Sequence, residues 1–211
     1  MSTLQIIGRS SSHFTRLALI FAYELDVPFE FRAVYDMTQL SPEIYAGNPS
    51  LKLPILRSES SVLFGSQNIC RAIADRAQGT RRLVWPEQLP DERCRNAHEL
   101  VAHCMSAQVQ LIFGTAVCKL PPDNLYFIKA RTGFEASLAW LDAHLAQVLD
   151  AHPSHELSYF EAALFCLMDH LRFRETVSPK PYPSLLRFAE EFSLRPSAKK
   201  TPYRFDTPPT S

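Results

Sequence analysis

Residues 48–56, Asn-Pro-Ser-Leu-Lys-Leu-Pro-Ile-Leu, decide the fold of this chain, because an apolar strand opens there on a Leu-Pro bond. Proline has no backbone N–H, so Pro54 cannot donate to a sheet ladder. Only X-Pro bonds adopt the cis form at modest cost, and ordered ones mark tight turns, so we predict a cis Leu53-Pro54 bond. Such a turn leaves the backbone N–H and C=O of Leu53 without strand partners and available to a peptide-like ligand.

A second feature follows at residues 65–70, Gly-Ser-Gln-Asn-Ile-Cys, which have the pattern of a helix start. Ser66 is predicted to be the N-cap, because a serine oxygen accepts a hydrogen bond from the first-turn amides. The unpaired amides and the helix dipole at such a position attract a carboxylate. The Leu-Pro turn and this helix start together indicate a site for a small anionic peptide.

Strand and helix patterns alternate over residues 1–78. Strand patterns, besides the one that begins at the Leu-Pro bond, cover residues 4–7, 29–34 and 62–64. Between the first two, apolar residues recur at helical spacing at Phe14, Leu17, Ala18, Phe21 and Ala22. A segment with Pro42 and Gly47 follows, and another helix is predicted over residues 66–77. The order β-α-β-α-β-β-α is typical of an α/β thioredoxin-like domain.

Helical patterns dominate the second half of the chain. A linker is predicted over residues 79–90, and residues 91–201 are expected to form an all-helical (all-α) domain. Its long helices are predicted near residues 90–113 and 124–149. One apolar stripe of the second helix contains Phe134, Leu138, Leu141, Leu145 and Val148.

Two shorter features complete this half. Ser158 and Glu161 have the spacing of a capping box ahead of an apolar run. A last helix is predicted from Pro183 to about Leu194. The proline-rich residues 202–211 are expected to form a flexible tail.

The composition excludes several classes of function. The 211 residues carry 22 basic and 22 acidic side chains, and this balance argues against a nucleic-acid binder. No secretory signal pattern is visible, and no apolar run approaches a membrane span, so we expect a cytoplasmic protein without a membrane partner. The odd number of cysteines, 5, without a CxxC motif favours reduced thiols.

A metal site is not predicted. Cys94, His98, His103 and Cys104 fall on one predicted helix. Zinc needs about four converging ligands. Cys94 and His98 share a helix face, whereas His103 and Cys104 point away from it.

The Asn-Pro pair, the run Lys-Leu-Pro-Ile-Leu and the following serine resemble the glutathione-binding half of the cytosolic glutathione S-transferase (GST) superfamily. Further marks of this resemblance lie near residues 9–30, 83–93, 158–166 and 195–201. The resemblance implies the GST fold, with a thioredoxin-like glutathione-binding domain before an all-helical domain. It also implies a homodimer, glutathione as co-substrate, and a detoxification reaction with a small electrophile.

The resemblance places a thiolate-stabilising donor between the first strand and the first helix. This sequence has Ser10, Ser11 and Ser12 there, which resembles the serine-type classes, theta and zeta or bacterial ones. Alignment on the following Arg-Leu-Ala favours Ser12, whereas the Arg-Ser-Ser start favours Ser10. A serine donating to sulfur would stabilise the thiolate by about 1.5–3 kcal/mol. The alternative is that these serines only cap the helix.

The same resemblance assigns the remaining ligand contacts. Leu53, held by Pro54, would pair its backbone with the cysteinyl part of glutathione, and Ser66 would hold the γ-glutamyl carboxylate. Lys52 and His13 are candidates for the glycyl carboxylate. The alternatives are a solvated surface lysine and a solvent-facing histidine.

One position departs from the family pattern. The residue before Ser66 is usually Glu or Gln in the family, and here it is Gly65. Gln67 or Asn68 would replace that contact only in part, and a missing polar partner costs on the order of 1 kcal/mol. Two functions therefore stay open: a serine-type transferase, or a non-catalytic GST-like binding or regulatory protein with a weakened glutathione site.

Overall fold

The computed structural model describes residues 4–208, which divide into two compact units. The first unit contains residues 4–81 together with residues 194–208, so the end of the chain groups with its beginning. The second unit runs from Arg82 to Ser193.

The first unit is built on a four-stranded mixed sheet with the order β2-β1-β3-β4. Its strands are β1 (Gln5–Gly8), β2 (Glu30–Ala33), β3 (Ile55–Arg57) and β4 (Val62–Phe64). β1 is parallel to β2 and antiparallel to β3, and β3 and β4 form an antiparallel hairpin. The helices of this unit are α1 (His13–Glu24), α2 (Ser66–Ala74) and the short α7 (Pro196–Lys200). This is the thioredoxin-like arrangement that the sequence predicts.

The packing of α1 on the sheet follows from its apolar spacing. Leu17, Ala18 and Phe21 are buried, as the helical periodicity predicts. The strand and the helix approach closely at Gly8, where a Cβ atom would lie only 2.4 Å from Cγ2 of Thr15. Glycine is therefore required at Gly8 to let α1 begin directly beside the end of β1.

The predicted order β-α-β-α-β-β-α places a helix between β2 and β3, and the structure has no regular helix there, in the segment with Pro42 and Gly47. Residues 42–48 form successive turns instead of a regular helix, and Ala46 and Gly47 have φ of 53° and 82°. Two left-handed residues in sequence cannot continue a right-handed helix. The buried Tyr45 ties these turns to the preceding loop, because its hydroxyl lies 3.2 and 3.1 Å from the carbonyl oxygens of Met37 and Gln39.

The second unit is mainly helical. Its helices are α3 (Glu92–Leu111), a π-helical segment (Ile112–Val117), α4 (Leu125–Ala151), α5 (Tyr159–Arg174) and α6 (Pro183–Ser193). The segment expected to be a linker contains the strand β5 (Leu83–Val84), which pairs in parallel with β6 (Leu157–Ser158). The predicted α4 stripe is confirmed, since its five members are buried: Phe134, Leu138, Leu141, Leu145 and Val148.

The predicted capping box at the start of α5 is wrong. Ser158 is the N-cap, but its buried Oγ has no hydrogen-bond partner within residues 4–208. The Glu161 carboxylate instead contacts Nε2 of His155 at 2.7 Å. The backbone of Ser158 belongs to the β5–β6 ladder, and the Glu161 carboxylate is engaged by His155.

One long helical stretch, Glu92–Val117, is apolar enough to cross a membrane if only length and composition are considered. A core helix of a soluble protein meets the same criterion, so this single stretch is weak evidence. Its buried residues include Cys94, Val101 and Leu111.

Candidate functional site

One edge of the four-stranded sheet brings together the segments that the sequence singles out. In the β3–β4 hairpin Ile55 faces Phe64, so Leu53, just before β3, and Ser66, just after β4, lie at the same end of the hairpin. In the β1–β3 pair Ile7 faces Ile55, so Arg9, just after β1, lies at that end too. The β1–α1 turn, the Leu-Pro turn and the start of α2 therefore share this edge.

The β1–α1 turn is held by several hydrogen bonds. The amide of Arg9 donates to Oγ1 of Thr15 at 3.3 Å, and the Arg9 guanidinium donates to the carbonyl of Tyr35 at 3.1 Å. The amide of Ser12 donates to the carbonyl of Arg9 at 3.1 Å. These bonds link the turn to both α1 and the segment after β2.

The three serines of this turn have different environments. Ser12 is the N-cap of α1, and its Oγ accepts a hydrogen bond from the Thr15 amide at 3.3 Å. The Ser10 hydroxyl donates to the Asp206 carboxylate at 2.6 Å, and the Ser10 amide donates to it at 2.7 Å. Ser11 is 4% exposed. Within the described residues, the Ser12 O–H has no acceptor and is available to a ligand.

Leu53 has the unpaired backbone that the sequence predicts. The Leu53-Pro54 bond is cis, which confirms that prediction. Among residues 4–208 neither the N–H nor the C=O of Leu53 has a hydrogen-bond partner. The preceding loop is fixed by the buried Asn48, whose amide donates to the carbonyl of Lys52 at 2.8 Å and accepts from the Ser50 amide at 3.0 Å.

The start of α2 corrects one prediction. Gly65, not Ser66, is the N-cap, with φ 85° and ψ 132°. This conformation is costly for any residue with a side chain, so it explains glycine at this position. Ser66 is the first helical residue and is 8% exposed, and its hydroxyl has no partner in the described part of the chain. The first intrahelical bond comes from Ile69, so the three amides before it are unpaired.

The other candidate residues divide between exposed and buried positions. Lys52 is exposed and Gln67 is half-buried. His13 is only 1% exposed and its ring centroid lies 4.5 Å from that of Phe14, so the solvent-facing alternative for this histidine is wrong. A buried first-turn position follows from the close packing of α1 on the sheet.

Charge at this edge is shaped by the loop after β2. Hydrogen bonds from Thr38 and Gln39, with a smaller contribution from the Arg9 guanidinium, lower the pKa of Asp36 to about 2. Asp36 therefore stays ionised at neutral pH. Burial raises the pKa of Tyr45 above its usual value, so Tyr45 stays neutral.

Sequence reasoning missed Asp206 as a member of this site. It lies in the segment that was expected to be a flexible tail, yet its side chain is only 7% exposed and contacts the β1–α1 turn. In the sequence Asp206 is a single carboxylate among prolines near the end of the chain. It belongs to no periodic pattern and no motif, so the sequence contains no signal that could have identified it.

These observations define a protein with a thioredoxin-like α/β unit, which carries unpaired polar groups of the described residues at one end of its sheet, and with a helical unit. Residues 6–81 match the family model described as glutathione S-transferase, N-terminal domain. The N-terminal segment is therefore similar to that domain family. No curated protein sequence matched.

Solved structures agree on the fold. A glutathione transferase family member from Pseudomonas fluorescens Pf-5 with bound glutathione has a TM-score of 0.78 at 20% identity, covering 96% of this chain and 100% of its own. A glutathione S-transferase from Methylobacterium radiotolerans, in complex with glutathione sulfonate, has a TM-score of 0.74 at 20% identity, covering 99% of both chains. Poplar glutathione transferase F1 has a TM-score of 0.68 at 22% identity, covering 95% and 97%.

Proposed function

We propose that this protein binds glutathione at the sheet edge and is a serine-type glutathione transferase. One observation carries the proposal: the backbone N–H and C=O of Leu53 and the hydroxyl of Ser66, at the same end of the β3–β4 hairpin, have no hydrogen-bond partner within residues 4–208. Such groups can bind the backbone and a carboxylate of a peptide ligand. Glutathione bound in several neighbours of the same fold supports this choice of ligand.

The donor set fits a tripeptide with two carboxylates. The N–H and C=O of Leu53 can form the two hydrogen bonds that one strand makes with the backbone of a peptide. The Ser66 hydroxyl and the unpaired first-turn amides of α2 suit the γ-glutamyl carboxylate. Gln67 is half-buried beside Ser66 and could contact the same portion. The exposed ammonium of Lys52 suits the glycyl carboxylate.

The catalytic requirement is a thiolate at neutral pH. A free thiol has a pKa of about 8.5, so only a few per cent is ionised at neutral pH. Ser12 would donate its O–H to the bound sulfur, and the N-terminal end of α1 adds the positive end of a helix dipole. The thiolate would then attack an electrophilic small molecule.

Ser12 is the preferred donor to the thiol sulfur, because the hydroxyls of Ser10 and Ser11 are less available for a hydrogen bond to a ligand. The Ser10 proton is already donated to Asp206, and Ser11 is nearly fully buried. The Ser12 oxygen accepts from the Thr15 amide, and this bond leaves its proton unused. A group that caps a helix by accepting can still donate, so capping and catalysis are compatible in Ser12.

A non-catalytic glutathione-binding protein is the second candidate, and Gly65 favours it. Gly65 provides no side chain where the family usually has Glu or Gln. The expected loss is about 1 kcal/mol, or roughly a fivefold weaker affinity.

We further propose a cytoplasmic homodimer, as in the superfamily that the sequence resembles. A monomeric mass in light scattering at micromolar concentration would contradict the dimer.

The test is calorimetric titration of the purified protein with reduced glutathione up to millimolar concentrations, followed by turnover with a panel of electrophiles. We expect one-site binding that weakens in Ser66→Ala. Ser60→Ala is the matched control, because Ser60 is exposed in the β3–β4 turn. Absence of binding by the wild-type protein would overturn the proposal, and binding without turnover would favour the non-catalytic candidate.

A further inference from the structure

The C-terminal residues 194–208, which we call the C-terminal strap, follow α1 along its length. At the C-terminal end of α1, the Glu24 carboxylate contacts Nη1 of Arg195 at 3.0 Å and accepts from the Ser197 hydroxyl at 2.5 Å. Glu24 and Arg195 are both largely shielded from water, with side chains 19% and 33% exposed. This end of the strap is therefore fixed by charge-assisted hydrogen bonds.

Arg16 forms the middle anchor. Its Nε donates to Oγ1 of Thr201 and its Nη2 donates to the carbonyl of Ala198, both at 3.3 Å. The ring of Tyr203 lies 4.3 Å from the guanidinium carbon. Arg16 is 3% exposed, so its two hydrogen bonds and its contact with the Tyr203 ring link the strap to a buried charge.

Asp206 forms the last anchor, at the N-terminal end of α1. Its two carboxylate oxygens separately accept the amide N–H of Ser10 and the Ser10 hydroxyl, at 2.7 and 2.6 Å. As the strap residue number rises from 195 to 206, its partner falls from Glu24 to Ser10. The strap therefore runs antiparallel to α1 and ends at the turn that carries Ser12.

We propose that Asp206 is a positioning residue that clamps Ser10 and thereby holds the β1–α1 turn, so that the Ser12 hydroxyl faces the glutathione thiol. The inference rests on the proposed function of this site. Asp206 accepts the hydroxyl proton of Ser10 and makes no hydrogen bond with the Ser12 hydroxyl. It can therefore hold the turn in place while the Ser12 O–H stays available as a donor. Of the bonds that brace residues 9–12, those from Asp206 come from the most distant part of the chain, 196 residues away.

The clamp is tested first without glutathione, by amide hydrogen exchange of the peptide that contains residues 9–17. Asp206→Ala removes both acceptors and should speed exchange in this peptide about tenfold or more, because charged hydrogen bonds are among the stronger ones. Asp206→Asn can still accept the Ser10 N–H and donate to the Ser10 oxygen, so it should restore most of the protection. Thr207→Ala is the control, since Thr207 is exposed and makes no hydrogen bond within the described chain.

The second arm measures the pH profile and the KM against kcat. Asp206→Ala should lower kcat near neutral pH and move the alkaline rise of activity to higher pH, with KM for glutathione nearly unchanged. Ser10→Ala removes only the hydroxyl bond to Asp206 and keeps the amide bond, so it should show a smaller change in the same direction, and the double variant should match Asp206→Ala alone. Asp206→Asn should rescue the profile.

Each outcome decides the matter. Unchanged exchange in Asp206→Ala overturns the clamp. Faster exchange with higher turnover overturns the positioning role, because the strap would then be autoinhibitory. Additive effects of Ser10→Ala and Asp206→Ala also overturn it. Failure of the wild-type protein to bind glutathione, with the exchange result intact, overturns the proposed function and with it the catalytic role of the clamp, while the clamp itself stands.

Discussion

Gly65 provides the most direct test of how this site is built. Its backbone has φ 85° and ψ 132° at the N-cap of α2, and a Cβ atom there would have only Asn68 Nδ2 nearby, at 3.9 Å. The cost of a side chain is therefore conformational and not steric. We expect Gly65→Ala to lower the free energy of unfolding by about 2 kcal/mol. For a chain of 211 residues this is a fall in Tm of about 4–8 °C.

The matched control is Gly133→Ala. Gly133 lies in the interior of α4, is exposed, and has no atom within 4 Å of an added Cβ. It has ordinary helical backbone, so alanine there should stabilise the protein by about 0.5–1 kcal/mol. The same chemical change should thus have opposite signs at the two glycines.

Gly65→Gln adds the amide that the site lacks. It carries the same backbone cost as Gly65→Ala, but its side chain can reach the γ-glutamyl part of glutathione. We expect it to bind glutathione about fivefold more tightly than Gly65→Ala, which is about 1 kcal/mol. Thermal unfolding and calorimetric titration of all three variants check both numbers. A Tm of Gly65→Ala at or above the wild-type value would refute the backbone argument, and equal affinities of the two Gly65 variants would refute the account of the missing contact.

Three further outcomes are expected. Ser12→Gly keeps a residue tolerated at an N-cap but removes the hydroxyl, so stability should fall by only a few tenths of a kcal/mol, while the pKa of the bound thiol rises by about 1–2 units. Turnover near neutral pH should then fall and recover as the pH rises through the raised pKa; an unchanged pH profile would exclude Ser12 as the donor. Ser66→Ala should weaken glutathione binding about fivefold and leave kcat nearly constant, as titration and kinetics would measure; unaltered affinity would remove Ser66 from the site. Burial raises the thiol pKa of Cys94 to about 11 and that of Cys104 to about 12, whereas Cys118 is exposed. One thiol of the native chain should therefore react rapidly with an alkylating reagent near about pH 8, and mass spectrometry showing rapid modification of Cys94 or Cys104 would contradict their burial.

Most of the fold could be predicted because its signals are local. The spacing of apolar residues in α1 and α4 is a property of neighbours along the chain, and both helices bury the predicted faces. The Leu53-Pro54 turn is also local, since proline restricts the residue on either side. The prediction of a helix between β2 and β3 was wrong because Ala46 has a left-handed backbone conformation. Alanine rarely adopts this conformation, so the sequence gives no sign of it.

The site was predicted less completely, because its details depend on single bonds. The sequence predicted the helix cap at Ser66, but Gly65 is the N-cap, and the Ser66 hydroxyl has no partner within residues 4–208. Sequence also left Ser10 and Ser12 equal as candidates. The structure distinguishes them: the Ser10 hydroxyl donates to Asp206, whereas the Ser12 hydroxyl has no acceptor within residues 4–208.

The sequence by itself thus determined the four sheet strands of the first unit, the main helices, the Leu-Pro turn and the family resemblance, since each rests on short-range patterns that hydrophobic burial and backbone sterics enforce. Only the tertiary structure decided that residues 194–208 pack on the first unit and that Asp206 engages Ser10. A pair 196 residues apart leaves no periodic trace in a sequence, because its two members meet only in the folded unit.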